Sequence, residues 1–333
     1  MTSRNLTYIT ICLNIMFAQT CAFLQYSLQP TTRRSILLAL SGETSGLFEE
    51  EPSYQRFLGV GRLYEKESIV SADSISNKLS QSTVAVVGIG GVGSWAVEAL
   101  VRSGVGNIIL VDLDDICTSN INRQLHALSS TVGKIKIDVM KERVLDINPS
   151  CNVTLVHDFI SVDNAIDIVA SFKSKKVDII IDSIDGQNEK TALIAAACIH
   201  QMPIITCGGA AGRFNPTEIV CDDLSRSEQC RLLASCKNRL RDTYKLFKQG
   251  SLKKTPRRWK IWAVFSTEVQ KQVNPSADES SFRRCDGALG TACFVTGTYG
   301  FVAASKAVSM IANDELIVPK IPKSMIKGND FNK

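Results

Sequence analysis

The chain alternates short apolar runs with segments in which apolar residues recur every three or four positions. Short apolar runs rich in β-branched residues predict buried strands, and the longer spacing predicts amphipathic helices. The predicted strands are Thr83–Gly88, Asn107–Val111, Cys151–Val156, Val177–Ile184 and Pro203–Cys207, and the predicted helices are Val92–Ser103, Val132–Ile147, Asp163–Phe172 and Glu189–Gln201. This alternation predicts an α/β fold with a doubly wound, mostly parallel sheet, which binds ligands at the carboxyl ends of its strands.

A glycine-rich turn joins the first predicted strand to the first predicted helix. Gly88, Gly90 and Gly93 fit the pattern G-x-G-x-x-G, which in Rossmann-like folds brings the backbone against a phosphate chain at a helix N-terminus. Asp112 follows the second strand, where an acid that binds ribose is expected. Taken alone, these residues fit a nicotinamide or flavin dinucleotide site.

The segment Ser119–Gln124 (SNINRQ) changes this interpretation, because neither it nor Lys136 has a use in hydride transfer. The full ordered set resembles the ubiquitin-activating and ThiF-type adenylyltransferases, and consists of the glycine turn, Asp112, Asn120-x-Asn-Arg-Gln124, Lys136 and Asp185. The resemblance implies a ThiF-type adenylation domain that uses ATP and Mg²⁺ to activate a carboxylate.

The resemblance also implies roles for individual residues. Arg123 and Lys136 would supply positive charge at the phosphates, and Asp185 would coordinate magnesium. Asp112 would hold the ribose, and the other nucleotide-binding positions would be Gly88, Gly90, Gly91, Gly93, Ser94, Asn120 and Gln124. Arg56 matches an arginine that reaches the active site from the other subunit, which implies a homodimer. Each charged residue has an alternative interpretation as a surface charge, a turn residue or a helix cap.

Longer stretches narrow the resemblance to one branch. RFLGVGRLY (Arg56–Tyr64), VGIGGVGSWAVEAL, DINPSCNVTLV and TGTYGFVAAS (Thr296–Ser305) are similar to tRNA threonylcarbamoyladenosine dehydratases. The resemblance implies that the substrate is a tRNA whose adenosine next to the anticodon carries a threonylcarbamoyl group. ATP would adenylate the free carboxylate of this group, and its carbamoyl would then close a ring with net loss of water.

Two other functions remain open at this point: activation of the C-terminus of a sulfur-carrier or ubiquitin-like protein, and a non-catalytic tRNA-binding scaffold. Carrier activators usually have paired C-x-x-C zinc motifs or a catalytic cysteine in a separate domain. This chain has no C-x-x-C pair, so zinc is not expected. Gly186 follows Asp185, where many superfamily members have asparagine. Asp-Gly-Ala follows Cys285, which argues against a sulfur relay but leaves open a cysteine-desulfurase-type sulfur-transfer partner.

Charge is concentrated in one segment. The net charge is only +5, but residues 237–260 contain ten Lys or Arg and one acid. Such a basic insertion is typical of phosphate binding, and the candidate tRNA contacts are Lys253, Lys254, Arg257 and Arg258. Trp259 and Trp262 could stack on a base or pack in the core.

The first 49 residues differ from the rest. The apolar run Leu6–Ala18 follows Arg4, and a basic, hydroxyl-rich segment without acids then extends to Glu43. A hydrophobic leader followed by a basic segment resembles the two-part presequence of a plastid protein; a mitochondrial leader and a disordered extension are the alternatives. The apolar run is too short to span a bilayer comfortably, so no span is expected in the mature chain. The adenylating domain is predicted at residues 50–315 and a tail at 316–333.

Overall fold

The computed structural model describes residues 56–66, 69–247, 258–270, 289–319 and 321. The predicted presequence, most of the predicted tail, Cys285 and three of the four candidate tRNA contacts (Lys253, Lys254 and Arg257) lie outside the described residues. The described residues from Arg56 onward belong to one unit of the chain.

Seven strands among the described residues form one sheet in the order β3-β2-β1-β4-β5-β7-β6. They are β1 Thr83–Val87, β2 Asn107–Val111, β3 Asn152–Val156, β4 Ile179–Asp182, β5 Ile204–Cys207, β6 Ile219–Asp223 and β7 Trp262–Ser266. All five predicted strands are confirmed, and each boundary shifts by at most two residues. β6 and β7 were not predicted; β6 pairs antiparallel with β7, whereas the other neighbouring strands are parallel.

Helices cover both faces of the sheet. They are α1 Leu58–Tyr64, α2 Ala72–Gln81, α3 Gly93–Arg102, α4 Lys136–Ile147, α5 Ala165–Ser174, α6 Gln187–Ile199, α7 Arg231–Asp242 and α8 Cys293–Ala312. Because side chains alternate along a strand, Val84 and Val86 of β1 pack in the layer with α2, α3, α4 and α8. Ala85 and Val87 pack with α5, α6 and α7 on the opposite face. This three-layer arrangement confirms the doubly wound α/β prediction.

The helix predicted from Val132 begins four residues later, at Lys136. Gly133 has a φ of +85°, which is outside the helical region. An isolated antiparallel bridge between Asp115 and Ile135 then holds the next residues in an extended conformation. The chain therefore reaches the start of α4 beside the end of β2.

The sheet order creates a crevice between β1 and β4. The chain runs from β1 through β2 to β3 on one side, and then crosses to β4 on the other side of β1. Ligands of doubly wound sheets bind at such a switch point, outside the carboxyl ends of the strands. Within the described ranges, no helix is both long and apolar enough to cross a membrane.

Candidate functional site

A pocket of about 890 Å³ lies at this crevice. Its wall is formed by the ends of β1, β2 and β4 and by the loops that follow them. The structure brings together nine of the residues that the sequence singled out: Gly88, Gly90, Gly91, Asp112, Asn120, Arg123, Gln124, Lys136 and Asp185. These positions span almost 100 residues of sequence, so the fold is what unites them.

The glycine turn forms one side of the pocket and leaves space for a ligand. Gly88 has a φ of +86°, and a Cβ at Gly93 would collide with the carbonyl oxygen of Gly88. A Cβ at Gly90 would have only the Gln124 amide nearby, at 3.9 Å. Gly88 and Gly93 therefore shape the turn, whereas Gly90 exposes its backbone to the pocket in the way that phosphate binding requires.

Gly93 and Ser94 lie behind this wall rather than in it. The Ser94 side chain is buried, and its Oγ accepts a hydrogen bond from the Leu125 backbone N–H at 3.2 Å. Its own N–H donates to the Gly90 carbonyl at 3.1 Å. Ser94 thus joins the glycine turn to the segment that contains Arg123.

Asp112 links the end of β2 to the glycine turn. Its Oδ2 accepts from the Ile89 N–H at 2.6 Å and its Oδ1 from the Asp114 N–H at 2.9 Å. Each carboxylate oxygen keeps a further lone pair. The buried carboxylate is therefore fixed in orientation and can still accept hydrogen bonds from the hydroxyls of a ligand.

The Asn120–Gln124 segment is held by hydrogen bonds to its own backbone. Asn120 Oδ1 accepts from the Cys117 N–H at 3.1 Å, and Arg123 Nη1 donates to the Ser119 carbonyl at 2.7 Å. The Arg123 carbonyl accepts from Trp95 Nε1 at 3.0 Å, which fixes the position of the arginine backbone. Gln124 Oε1 is buried without a hydrogen-bond partner among the described residues, as expected of an acceptor whose donor comes from a ligand.

Lys136 enters the pocket from the first turn of α4 and is paired with an acid that the sequence did not reveal. Its Nζ lies 2.6 Å from Asp114 Oδ2, and its backbone N–H donates to the Asp114 carbonyl at 3.0 Å. The lysine side chain is buried, whereas about half of the Asp114 side chain is exposed. A phosphate in the pocket could therefore replace the Asp114 carboxylate as the partner of the ammonium group.

Asp185 lies in the turn after β4. Its side chain lines the pocket and is exposed to solvent there. The protein atoms around it still remove part of the water from the carboxylate, and this raises its pKa. The positive charges of Lys190, Arg123 and Lys136 act in the opposite direction. The N-cap of α6 is Gly186, and no side chain caps this helix. Asp185 is therefore not the helix cap, and its carboxylate is open to the pocket.

The sequence also did not reveal a buried ion pair beneath this turn. Asp182 and Lys190 have no exposed side-chain surface, and Lys190 Nζ lies 2.8 Å from Asp182 Oδ2. Burial acts to lower the pKa of Lys190, but the charge and the hydrogen bond of Asp182 act in the opposite direction, and the net effect is a raised pKa that keeps the ammonium charged. A signal was present in the sequence, because Lys190 shares a helical face with the apolar Leu193 and Ile194.

Other candidate residues lie away from the pocket. Arg56 is exposed, and its Nη1 is 3.5 Å from the Ile147 carbonyl at the end of α4. Arg258 is exposed at the edge of the described residues. Trp259 is buried and stacks on Phe247 at 4.1 Å between ring centroids, so it packs in the core. Trp262 belongs to β7, and Lys306 Nζ lies 3.6 Å from its ring centroid.

Comparison with known proteins agrees with this geometry. The ThiF family profile matches residues 64–327. The tRNA threonylcarbamoyladenosine dehydratase of Haemophilus influenzae is 42% identical over 259 residues, covering 77% of this chain and 93% of its own length. The Escherichia coli enzyme of the same name is 40% identical over 263 residues, covering 76% and 92%.

Solved structures give the same result. Crystal structures of Escherichia coli tRNA N6-threonylcarbamoyladenosine dehydratase with AMP and with ATP each match with a TM-score of 0.66 and 39% identity. Each match covers 78% of this chain and 95% of the solved chain.

Proposed function

The chain belongs to the ThiF family, and on this basis we propose that it catalyses the ATP-dependent dehydration of threonylcarbamoyladenosine next to the anticodon of tRNA. The observation that carries the proposal is the convergence of Gly90, Arg123, Lys136 and Asp185 on one pocket. Two relatives called tRNA threonylcarbamoyladenosine dehydratase match over most of their own length. This supports threonylcarbamoylated tRNA over the other substrates that the family adenylates.

In the first step, a carboxylate oxygen of the substrate attacks the α-phosphorus of ATP and pyrophosphate leaves. Negative charge develops on the phosphate oxygens, and preorganised cations lower the energy of this transition state. Lys136 is buried and already oriented by Asp114. Arg123 is oriented by the Ser119 carbonyl. Both can act without a large rearrangement of the backbone.

In the second step, the carbamoyl group of the same side chain attacks the acyl carbon, and AMP leaves with one former carboxylate oxygen. The product has lost one water relative to threonylcarbamoyladenosine. Because nucleophile and acyl group belong to one molecule, proximity supplies much of the rate. The protein then has to hold the adenylate and exclude water, and needs no nucleophile of its own.

Magnesium fits this site as an ion shared with the nucleotide. Among the described residues, no group of three or more His, Cys, Asp or Glu side chains could hold a metal. Mg²⁺ is usually held by one or two carboxylates together with phosphate oxygens, so Asp185 would hold it and the ion would neutralise phosphate charge.

A homodimer with Arg56 acting across the interface is part of the proposal. Phe294 and Phe301 lie on one face of α8 and are 54% and 47% exposed. Phe301 contacts Trp95 at 5.8 Å between ring centroids, and Trp95 binds the Arg123 carbonyl. A second copy docked on this apolar face would therefore lie beside the segment that carries Arg123, and in this proposal its Arg56 enters the pocket.

Mixed dimers test this arrangement. Arg56→Ala and Lys136→Ala chains should each be inactive alone, and activity should return when they are mixed, because some dimers then contain one intact site. Phe301→Asp should give monomers without activity, whereas Phe214→Asp, at another exposed phenylalanine, should leave the dimer intact. Mixtures that stay inactive while subunits exchange would contradict the shared site.

The basic segment is proposed to bind tRNA phosphates. Lys237 donates to the Ser227 carbonyl at 2.6 Å, and Arg241 lies 5.0 Å from the Trp259 ring centroid, so both have contacts within the fold. The proposed phosphate contacts are therefore Lys253, Lys254, Arg257 and Arg258. Neutralising them should make the fall of log affinity with log salt concentration shallower, by about 0.7–0.9 in slope per lost contact. The control neutralises three exposed lysines at the end of α5, Lys173, Lys175 and Lys176, and should leave the slope unchanged.

The main test measures the product directly. The full chain is incubated with ATP, Mg²⁺ and threonylcarbamoylated tRNA, and the digested nucleosides are weighed by mass spectrometry. Loss of one water is expected, and should disappear in Arg123→Ala and Lys136→Ala but not in Lys134→Ala, which removes an exposed lysine nearby. An unchanged nucleoside mass would refute the proposal.

Two other measurements separate the alternatives. Pyrophosphate exchange that appears only with a sulfur-carrier or ubiquitin-like protein would identify a carrier activator. Binding of tRNA without AMP release would identify a scaffold. Whether a cysteine-desulfurase-type partner participates stays a prediction, since Cys285 lies outside the described residues.

A further inference from the structure

Three buried polar side chains form a closed cluster beneath the pocket. Lys190 Nζ lies 2.8 Å from Asp182 Oδ2 and 3.3 Å from Thr206 Oγ1. Thr206 Oγ1 in turn donates to Asp182 Oδ2 at 2.7 Å. All three residues are fully buried, and they join the ends of β4 and β5 to the first turn of α6. We call them the Asp182 cluster.

The cluster is connected to both ends of the Ser183–Gly186 turn, which carries Asp185. Asp182 Oδ1 accepts from the Ile184 N–H at 3.1 Å. At the other end, the backbone N–H of Lys190 donates to the Gly186 carbonyl at 2.9 Å. A shift of either charged residue would therefore shift the turn.

The same turn packs against the glycine turn. The Ser183 N–H donates to the Val87 carbonyl at 2.8 Å. A Cβ placed on Gly88 would lie 3.0 Å from the Ser183 carbonyl oxygen and 3.3 Å from the Ile184 nitrogen. With so little space between the two turns, the position of one constrains the other.

We propose that Asp182 and Lys190 are positioning residues, whose buried ion pair holds the Ser183–Gly186 turn in the geometry that Mg²⁺-dependent ATP binding requires. This inference rests on the proposed function of the pocket. An asparagine at position 182 has the right size, but only one of its two terminal atoms accepts hydrogen bonds. It cannot accept from the Ile184 N–H on one side and from Lys190 and Thr206 on the other, so the turn would lose part of its support.

The informative protein is the double variant Asp182→Asn/Lys190→Met. Each single variant leaves the charge of the other residue buried without its partner and should lower Tm sharply, whereas the double variant removes both charges and avoids this penalty. The double variant should therefore melt near the wild-type Tm. We expect its Mg²⁺-supported ATP affinity, measured by calorimetry on the full chain without tRNA, to fall ~10–100-fold, as is typical when groups behind a metal ligand are changed. ATP affinity without Mg²⁺ should change much less.

Glu98→Gln is the matched control, because Glu98 pairs with Arg143 between α3 and α4 and its side chain is also buried. It should lower Tm and leave the Mg²⁺ dependence of ATP binding unchanged. A double variant with wild-type Mg²⁺ dependence, or an equal loss in Glu98→Gln, would overturn the proposal.

If the double variant does not fold, Thr206→Val decides, since it removes only the hydroxyl that binds Asp182. A loss of Mg²⁺-supported ATP affinity that is smaller than the ~10–100-fold loss expected of the double variant supports the proposal. Wild-type ATP affinity in the presence of Mg²⁺ overturns it. Because tRNA is absent from these assays, a wild-type chain that binds ATP with Mg²⁺ but dehydrates no tRNA would refute the proposed function alone.

Discussion

Two alanine substitutions in the glycine turn should have opposite effects on stability, because the two glycines serve different purposes. At Gly93 a Cβ would collide with the Gly88 carbonyl oxygen, and backbone cannot rotate out of the way as a side chain can. Overpacking of this kind costs about 1–3 kcal/mol or more. At Gly90 the nearest atom would be the Gln124 amide at 3.9 Å, so the folded protein has room for a methyl group.

Gly90→Ala should consequently fold as well as the wild type, and the smaller conformational freedom of its unfolded chain should add about 0.4–1 kcal/mol of stability. The new methyl group would occupy the space through which phosphate oxygens approach the backbone. We expect ATP affinity to fall by at least about tenfold, which corresponds to about 1.4 kcal/mol. Gly93→Ala should lose both stability and ATP affinity.

Urea unfolding gives the stability of each variant, and calorimetric titration gives its ATP affinity. The reasoning would be refuted if Gly90→Ala bound ATP like the wild type, because the turn would then not be the phosphate site. It would equally be refuted if Gly93→Ala were as stable as the wild type.

Three further predictions concern pH and targeting. Burial lowers the pKa of His126 from 6.5 to about 4. The stabilisation that depends on neutral His126 should therefore be fully present above a pH of about 6.5 and be lost as the pH falls toward about 4, which lowers the free energy of unfolding by on the order of 3 kcal/mol. In urea unfolding His126→Leu should lack this loss, and a variant with the same pH dependence as the wild type would contradict the prediction. Burial tends to raise the pKa of Glu98, but hydrogen bonds from Arg143 and Arg102 lower it by more; the stability difference between wild type and Glu98→Gln should therefore be present near neutral pH and shrink as the pH falls through the folded-state pKa. A fluorescent protein fused behind residues 1–49 should enter plastids, whereas mitochondrial or diffuse fluorescence would favour the alternatives to a two-part presequence.

The order of the elements could be predicted because each leaves a local pattern. The five parallel strands that were predicted are short apolar runs, and the glycine turn has a spacing that few other structures require. The strands β6 and β7 escaped prediction for a physical reason. β6 lies at the sheet edge and contains two aspartates, and β7 pairs with it across almost 40 residues of intervening chain.

Most residues of the candidate site could be predicted from the sequence, but the contacts between them could not. Arg123 and Lys136 could be named from the order of motifs, yet nothing local indicated that Asp114 binds Lys136. That contact depends on the bridge between Asp115 and Ile135, which brings the start of α4 beside the end of β2.

The sequence by itself determined the periodicity, the turn that needs glycine, and the identity of the charged groups, because these depend on neighbouring residues and backbone preferences. Only the tertiary structure decided which of these groups meet. The order β2-β1-β4-β5 brings Asp112, Asp182 and Thr206 together at the carboxyl ends of neighbouring parallel strands, although they lie far apart in the chain. Whether a buried charge is stable depends on such partners, and a linear sequence does not specify them.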